Sequence, residues 1–405
     1  MKPILDGIRV LDLTRVIAGP WSTQTLADLG ADVIKVEKPG EGDDTRKMGP
    51  FLADAEGRTT NESAFFMGAN RSKRSITIDI ATARGQALIH ALAEHCDVMV
   101  ENYKTGNLAR YGLDYASLHA VNPRIIYCSV TGYGPTGPYA SRPAYDFILQ
   151  GMAGLMSTCG HPDGVPGAGP MRTAIPITDI FTGLYATIAI LGALYERDHS
   201  GQGQHIDAAM LDTAVAVNGH LAIGYVLTGK APSRIGNANP VASPSELFDT
   251  VDGQIIVAAG NNVQFENLLD AIGRADLKTD KRFKTNVARV ANRAALRAQL
   301  EDVFAQGTNA TWIARMEQAG VPCGPVNDME QVFADPQVQH RGILRSVAHG
   351  RGVQAPTLKS PLNFSRSPVT YKPPPMLGEH TDQVLQELLG LDDAARTQLR
   401  KSGVI

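Results

Sequence analysis

Several carboxylates stand where they could do chemistry. Asp179 sits in MRTAIPITDIFTGLYATIAILGAL, immediately before the most apolar helical stretch of the chain. A carboxylate there can be an N-cap that accepts orphan backbone N–H groups. The same groups and the helix dipole can also hold it ionised as a nucleophile that needs no separate base. Asp146, in SRPAYDFILQG, is either a second carboxylate of that site or another cap. Glu37 ends a β-branched run, where dinucleotide folds place a ribose-binding acid. It is followed by Lys38-Pro39-Gly40 and the charged run EGDDTRK, which reads better as a solvated loop.

Cations cluster at Asn70-Arg71-Ser72-Lys73-Arg74, with Arg110 eight residues beyond Asn102. Such clusters usually solvate a face. Gathered around one crevice, Lys38, Arg71, Lys73, Arg74 and Arg110 could neutralise the phosphates of a nucleotide-like ligand. The stretch Gly132-Tyr133-Gly134-Pro135-Thr136-Gly137 matches G-x-G-x-x-G after a strand. Pro135, Pro138 and Pro143 forbid the helix that a dinucleotide turn must open, so it reads as a rigid loop at a strand end. No pair of histidines or cysteines has metal-ligand spacing and no G-x-S-x-G elbow is present, so no metal site and no serine nucleophile are expected.

Composition narrows the remaining classes. In 405 residues, hydrophobic residues make up 43% and charged residues 20%, enough for a large core. A net charge of −3 leaves no basic excess for nucleic acid. Cys96, Cys128, Cys159 and Cys323 are far apart in sequence and fit a reducing cytoplasm better than a disulfide framework. The N-terminal apolar stretch is broken by Asp6, Arg9, Asp12 and Arg15, unlike a secretory leader. The longest apolar run, Ile180 to Tyr195, falls short of a membrane span and is expected as a buried core helix.

The elements that must position these residues follow from periodicity. Strands are expected at Ile8 to Leu13, Val33 to Glu37, Ile76 to Asp79, Val98 to Asn102 and Ile125 to Val130. Between the first two, GPWSTQTLADLG places Pro20 near a helix start and Gly30 past its end. Gly85 to Ala93 forms a second helix. Strand alternating with helix means an α/β fold, a doubly wound parallel sheet. From Gly201 the text changes: SGQGQHIDAAMLDTAVAVNG reads as a connector and helix. A strand at Gly253 to Ala259 and two helices over Asn286 to Gly320 then mark a smaller α+β unit, and Glu379 to Leu399 is helical.

With these residues in view, the chain resembles the class III CoA-transferases, the family of formyl-CoA transferase, carnitine CoA-transferase and α-methylacyl-CoA racemase. The likeness runs through LDGIRVLDLTRVIAGPWSTQTLADLGADVIKVEKPGEGDDTR, NRSKRSITID, DVMVENYKTGNLARYGLD, NPRIIYCSVTGYGPTGPY, TDIFTGLYATIAILGALYER, GQGQHIDAAMLD, GVPCGPV and LGEHTD. It implies a Rossmann-like large domain built from both termini, a smaller inserted domain, and a homodimer of two interlinked rings. Residues 1–210 and 346–405 then form the large domain and 231–325 the small one, with linkers at 211–230 and 326–345. The nucleophile falls on Asp179, accompanied by Asp146 and Tyr145. CoA contacts carry over onto Val16, Ala18, Lys38, Arg71, Lys73, Asn102, Tyr103, Arg110 and Tyr145, and a loop shielding the intermediate onto GNANPVASPS.

The implied partners are an acyl-CoA, a carboxylic acid and a second copy of the chain. Coenzyme A acts as substrate, with no tightly bound cofactor, no nucleic acid and no membrane. The implied reaction moves CoA from an acyl-CoA, with succinyl-CoA expected, to a dicarboxylic or hydroxy acid whose distal carboxylate Arg142, Arg172 or Arg234 could clamp. Two departures from the family pattern set its limits. Formyl-CoA transferase has glutamine in place of Ile17 and a glycine run in place of GNANPVASPS, which disfavours oxalate. Racemases place histidine before the residue matching Asp146, whereas a phenol at Tyr145 is a poor α-proton base. A 2-methylacyl-CoA racemase and a non-catalytic CoA-binding protein are the rival readings.

Overall fold

Segments rich in Val, Ile and Leu with few polar interruptions form strands buried on both faces. In the computed structural model, which describes residues 1–405, six segments pair side by side. They are β1 (Arg9–Leu13), β2 (Asp32–Glu37), β3 (Arg74–Thr77), β4 (Val98–Glu101), β5 (Ile126–Thr131) and β6 (His205–Ala209). Every pairing is parallel. The order across the sheet is β3-β2-β1-β4-β5-β6, that of a doubly wound sheet whose chain direction of travel reverses between β1 and β4. The first five strands lie within two residues of their sequence-derived positions. β6 was not expected: His205–Ala209 alternates in burial because it is an edge strand, and so lacks the continuous apolar run of its neighbours.

Helix α1 (Ala18–Asp28) connects β1 to β2. It stops ahead of Gly30, whose φ of +101° and closeness to Pro3 admit no side chain. Helix α2 (Asp146–Met152) is a short helix downstream of β5. Helix α3 (Ile177–Ser200) contains the long apolar run and has the length and composition of a membrane span. It serves as a core helix: its Thr182, Gly183, Ala186 and Ile190 are buried. Gly183 allows the crossing with α1, since a Cβ there would lie 2.6 Å from the Ala18 carbonyl oxygen and 3.0 Å from the Trp21 Cβ. Two apolar clusters hold the sheet, one including Leu13, Ile76 and Ile89, the other Val10, Val100 and Ile190. The C-terminal residues Val384, Leu385, Leu399 and Ile405 belong to the first of them.

The chain forms two compact units. One comprises Met1–Leu155, Thr173–Thr228 and His340–Ile405, the other Met156–Arg172 and Gly229–Gln339. In the second, strands Ser245–Thr250, Gly253–Ala258 and Cys323–Pro325 form an antiparallel sheet, with Phe248, Phe304 and Trp312 in its core. Three helices, not two, occupy 286–318, because Asn292 separates Asn286–Ala291 from Arg293–Phe304. The C-terminal helical stretch likewise divides, at Gly390 in the left-handed conformation. The stretches expected as linkers are also structured: Met210–Ala216 and Gly219–Thr228 are helices in the first, and Met329–Ala334 and Pro336–His340 in the second.

Candidate active site

The carboxyl ends of β1 and β4 diverge at the reversal point of the sheet, and such a switch point is where open α/β sheets hold ligands. A crevice of about 250 Å³ lies there. Its walls are Arg15 to Ala18 after β1, Asn102 to Thr105 after β4, Thr131 and Gly132 after β5, Arg142 to Tyr145 before α2, and Asp179 of α3. A second crevice of about 230 Å³ shares Arg15, Asp44 and Tyr103 with it and extends past Lys38 to Tyr111. Each is smaller than the roughly 300 Å³ at which ligand pockets begin, so a long ligand would lie across both.

The turn from β1 into α1 is strained. Val16 has φ +70°, a conformation that a β-branched residue takes only when its surroundings force it. They do so from two sides. The Arg15 amide donates to Asn102 Oδ1 at 2.8 Å, and Asn102 Nδ2 donates back to the Arg15 carbonyl at 2.7 Å. The Val16 amide donates to Asp43 Oδ1, while Lys35 Nζ donates to both Asp43 Oδ2 and the Thr14 carbonyl. Beyond the turn, α1 starts without a side-chain cap, because Ile17 has none to offer. Its first amides, Ala18 and Gly19, have no carbonyl one turn earlier to bond and are available to an anion or oxyanion.

Asp179 is the third residue of α3, so it is not the N-cap; that position is Pro176. Asp146 does the capping from the first turn of α2. Its Oδ1 accepts from the amides of Thr178 at 2.7 Å and Asp179 at 3.4 Å, and its Oδ2 accepts from Gln150 Nε2 at 2.6 Å. The Gln150 Oε1 in turn accepts from the Thr173 amide at 3.0 Å. The helix-start amides expected to hold Asp179 ionised are therefore taken by Asp146. Burial, with the nearby Asp146 charge acting the same way, pushes the Asp179 carboxyl up to about 7. Tyr145 is 68% exposed at the rim.

Most of the cations expected at the crevice are already neutralised. Lys73, completely buried, donates to Asp12 at 3.0 Å, and Arg71 forms a two-pronged pair with Asp28. Arg74 is held by Asp32 and Glu387, and Lys38 by Glu41 at the mouth of the second crevice. Neither Arg71 nor Lys73 lines either crevice. Arg110 is exposed and lies over the ring of Tyr111, which lines the second crevice. Among the expected contact residues, Val16, Ala18, Asn102, Tyr103 and Tyr145 do line the first.

The charged run after Glu37 is not a solvated loop. Glu37 is buried in a two-pronged pair with Arg46, and Asp43 is buried against Lys35. The supporting role of Lys35, Asp43 and Gln150 was missed. A lysine in the middle of the apolar strand DVIKVE was the available signal, since a buried ammonium requires a buried carboxylate partner. No group of three His, Cys, Asp or Glu is placed to hold a metal ion.

Comparison with known proteins follows the same lines. Residues 5–381 match the model of CoA-transferase family III. The chain is 46% identical to a succinate–glutarate CoA-transferase of Agrobacterium fabrum, over 97% of this chain and 98% of that one. It is 40% identical to the human succinyl-CoA:glutarate CoA-transferase, over 100% of this chain and 90% of that one. Among solved structures, a CAIB/BAIF family protein from Brucella suis aligns with a TM-score of 0.85 at 47% identity, covering 96% of this chain and 100% of that one.

Proposed function

The chain belongs to CoA-transferase family III, and on that premise we propose that it moves CoA from succinyl-CoA to a dicarboxylic acid such as glutarate, with Asp179 as the covalent nucleophile. One observation carries this reading: a carboxylate in the first turn of α3 faces a switch-point crevice walled by the uncapped start of α1 at Ile17 and Ala18. The names of the relatives supply the acid class.

In the first step the Asp179 carboxylate attacks the thioester carbonyl. The carbon–sulfur bond breaks and a mixed anhydride and free CoA thiolate form. The thiolate attacks the aspartyl carbonyl, releasing the donor acid as a carboxylate and leaving an aspartyl-CoA thioester. The acceptor carboxylate attacks that thioester and expels thiolate. Thiolate then attacks the acceptor carbonyl of the second anhydride, giving the new acyl-CoA and restoring Asp179. Every step exchanges a carboxylate and a thiolate, so no proton is transferred, but water must be excluded from both intermediates. The Ala18 and Gly19 amides are suited to the developing oxyanions. Asp146 acts by setting the start of α3 and the charge beside Asp179.

CoA itself is assigned to the two adjoining crevices. Val16, Ala18, Asn102, Tyr103 and Tyr145 face the pantetheine end, and Lys38 and Arg110 lie toward the nucleotide. The ion pairs of Arg71 and Lys73 direct them to support of the site. The GNANPVASPS loop, residues 236–245, belongs to the second unit and lines neither crevice. An interlinked, Rossmann-like homodimer fits the exposed apolar side chains Tyr185, Ile188 and Tyr195 of α3 and Ile223, Val226 and Leu227 beyond it. Light scattering should then give twice the 43.3 kDa chain mass. The four free cysteines fit a cytoplasmic setting.

Asp179→Asn should abolish transfer while CoA still binds. Mass spectrometry of wild-type enzyme trapped with succinyl-CoA should place the adduct on Asp179. An adduct on another residue would remove the assignment. Deuterium uptake at the α-carbon of a 2-methylacyl-CoA, without an acceptor acid, would instead establish racemisation.

A further inference from the structure

We propose that Arg142 is the residue that selects dicarboxylic substrates, by pairing its guanidinium with the carboxylate remote from the reacting one. The inference rests on the CoA-transfer reading above and assigns a specificity determinant within the same crevice.

Three arginines could have played this part on sequence grounds, and the structure separates them. Arg234 pairs with Asp163 in the second unit. Arg172 is absent from the crevice lining. Arg142 lines the crevice together with Asp179 and has no carboxylate within ion-pair distance. Arg15, also in the wall, is engaged by Asp44 at 3.3 Å.

Arg142 is also held in place. Its guanidinium lies 3.9 Å from the centroid of the Tyr139 ring, and that ring meets Tyr133 edge to face at 5.6 Å. Tyr133 packs against the apolar cluster under the sheet. The Arg142 amide donates to the Tyr139 carbonyl at 2.9 Å, and Pro138 and Pro143 stiffen the turn on either side. This cation–π contact uses no hydrogen bond and leaves the guanidinium N–H groups free for two parallel bonds to a carboxylate.

The chemistry requires such a group. Excluding water from the intermediates also strips water from any second carboxylate on the substrate, and an unpaired charge in that setting is strongly disfavoured. With Asp179 and Asp44 already in the walls, a dianionic acid adds like charge. A fixed guanidinium offsets this for a dicarboxylate and offers nothing to a monocarboxylate of the same length. Lys104, the other cation in the wall without a carboxylate partner, has no ring holding it and presents a mobile point charge.

The test compares glutarate with pentanoate as acceptors, using acetyl-CoA as donor, in wild type, Arg142→Met, Arg142→Lys and Lys104→Met. Arg142→Met should lower kcat/KM for glutarate on the order of 100-fold and for pentanoate less than about threefold. Arg142→Lys should recover part of the loss. An equal loss for both acids, an unchanged preference for glutarate, or a preference that disappears only in Lys104→Met overturns the assignment and leaves the transferase reading standing. Failure of the wild-type enzyme to transfer CoA from succinyl-CoA to any acid overturns both.

Discussion

Asp12 and Asp179 are aspartates of one unit, and they titrate in opposite directions. Asp12, on β1, is fully buried. Burial alone would raise its carboxyl, but Lys73 and Lys35, with hydrogen bonds from Thr14 and Thr23, outweigh it and hold the group down to about 2. Asp179 keeps some contact with solvent, yet burial raises it to about 7, with the Asp146 charge acting the same way and the amides at its helix start committed to that neighbour. Burial pushes both carboxyls up, and only Asp12 has the cations that reverse it. Around the strained turn Asp12, Asp28, Glu37 and Asp43 are each paired with a cation, whereas Asp179 in the crevice is not.

Exchanging these conditions should break the comparison. The largest effect is expected from Lys73→Met, which leaves Asp12 with Lys35 as its one remaining cation. It should destabilise the protein by about 3–5 kcal/mol in denaturant unfolding, the usual result of removing one member of a buried pair. A loss below about 1 kcal/mol would show that the network is not supporting the turn. Gly183→Ala should follow, because its Cβ meets the α1 backbone at Ala18 and not a yielding side chain. We expect about 1–3 kcal/mol of destabilisation and at least a tenfold lower kcat, since Asp179 lies one turn away on the same helix.

Two smaller effects sharpen the comparison. The role proposed for Asp179 requires its ionised form, so kcat/KM should rise between about pH 6 and 8 and level off above; a flat profile would remove Asp179 as the titrating group. Asp146→Asn keeps an oxygen for the helix amides but deletes the charge, so that rise should move to lower pH by less than about one unit with kcat at the plateau largely kept. The same reasoning makes Asp179→Asn slightly more heat-stable than wild type at pH 8. A carboxyl raised on folding weakens the fold progressively as pH climbs from the ordinary aspartate value of 3.8 to about 7, so the advantage should shrink below pH 7 and vanish only near pH 4.

The sheet was legible in the sequence because buried parallel strands are continuous apolar runs, as in RVLDL and IYCSVT. His205–Ala209 escaped since an edge strand alternates and resembles a connector. Asp179 was legible as a carboxylate at the start of an apolar helix, whereas Val16, Ala18, Asn102 and Tyr103 came from the family resemblance and not from their spacing. The charged residues were misread for one common reason. Composition reports that EGDDTRK and NRSKR are charged, whereas their burial depends on partners distant in sequence: Arg71 on Asp28, Lys73 on Asp12, and Arg46 on Glu37. For the same reason Asp146 could not be told from an ordinary cap, because the helix it caps is another one, starting 31 residues later at Ile177.

That remote cap also bears on how the chain path is anchored. The chain leaves the first unit after Leu155 and re-enters at Thr173, passing through the second between. Asp146 and Gln150, before the excursion, are fastened to Thr178 and Thr173, after it. The two ends of the detour are thus stapled together inside the first unit. Asp179 takes its position from bonds that bypass residues 156–172 altogether.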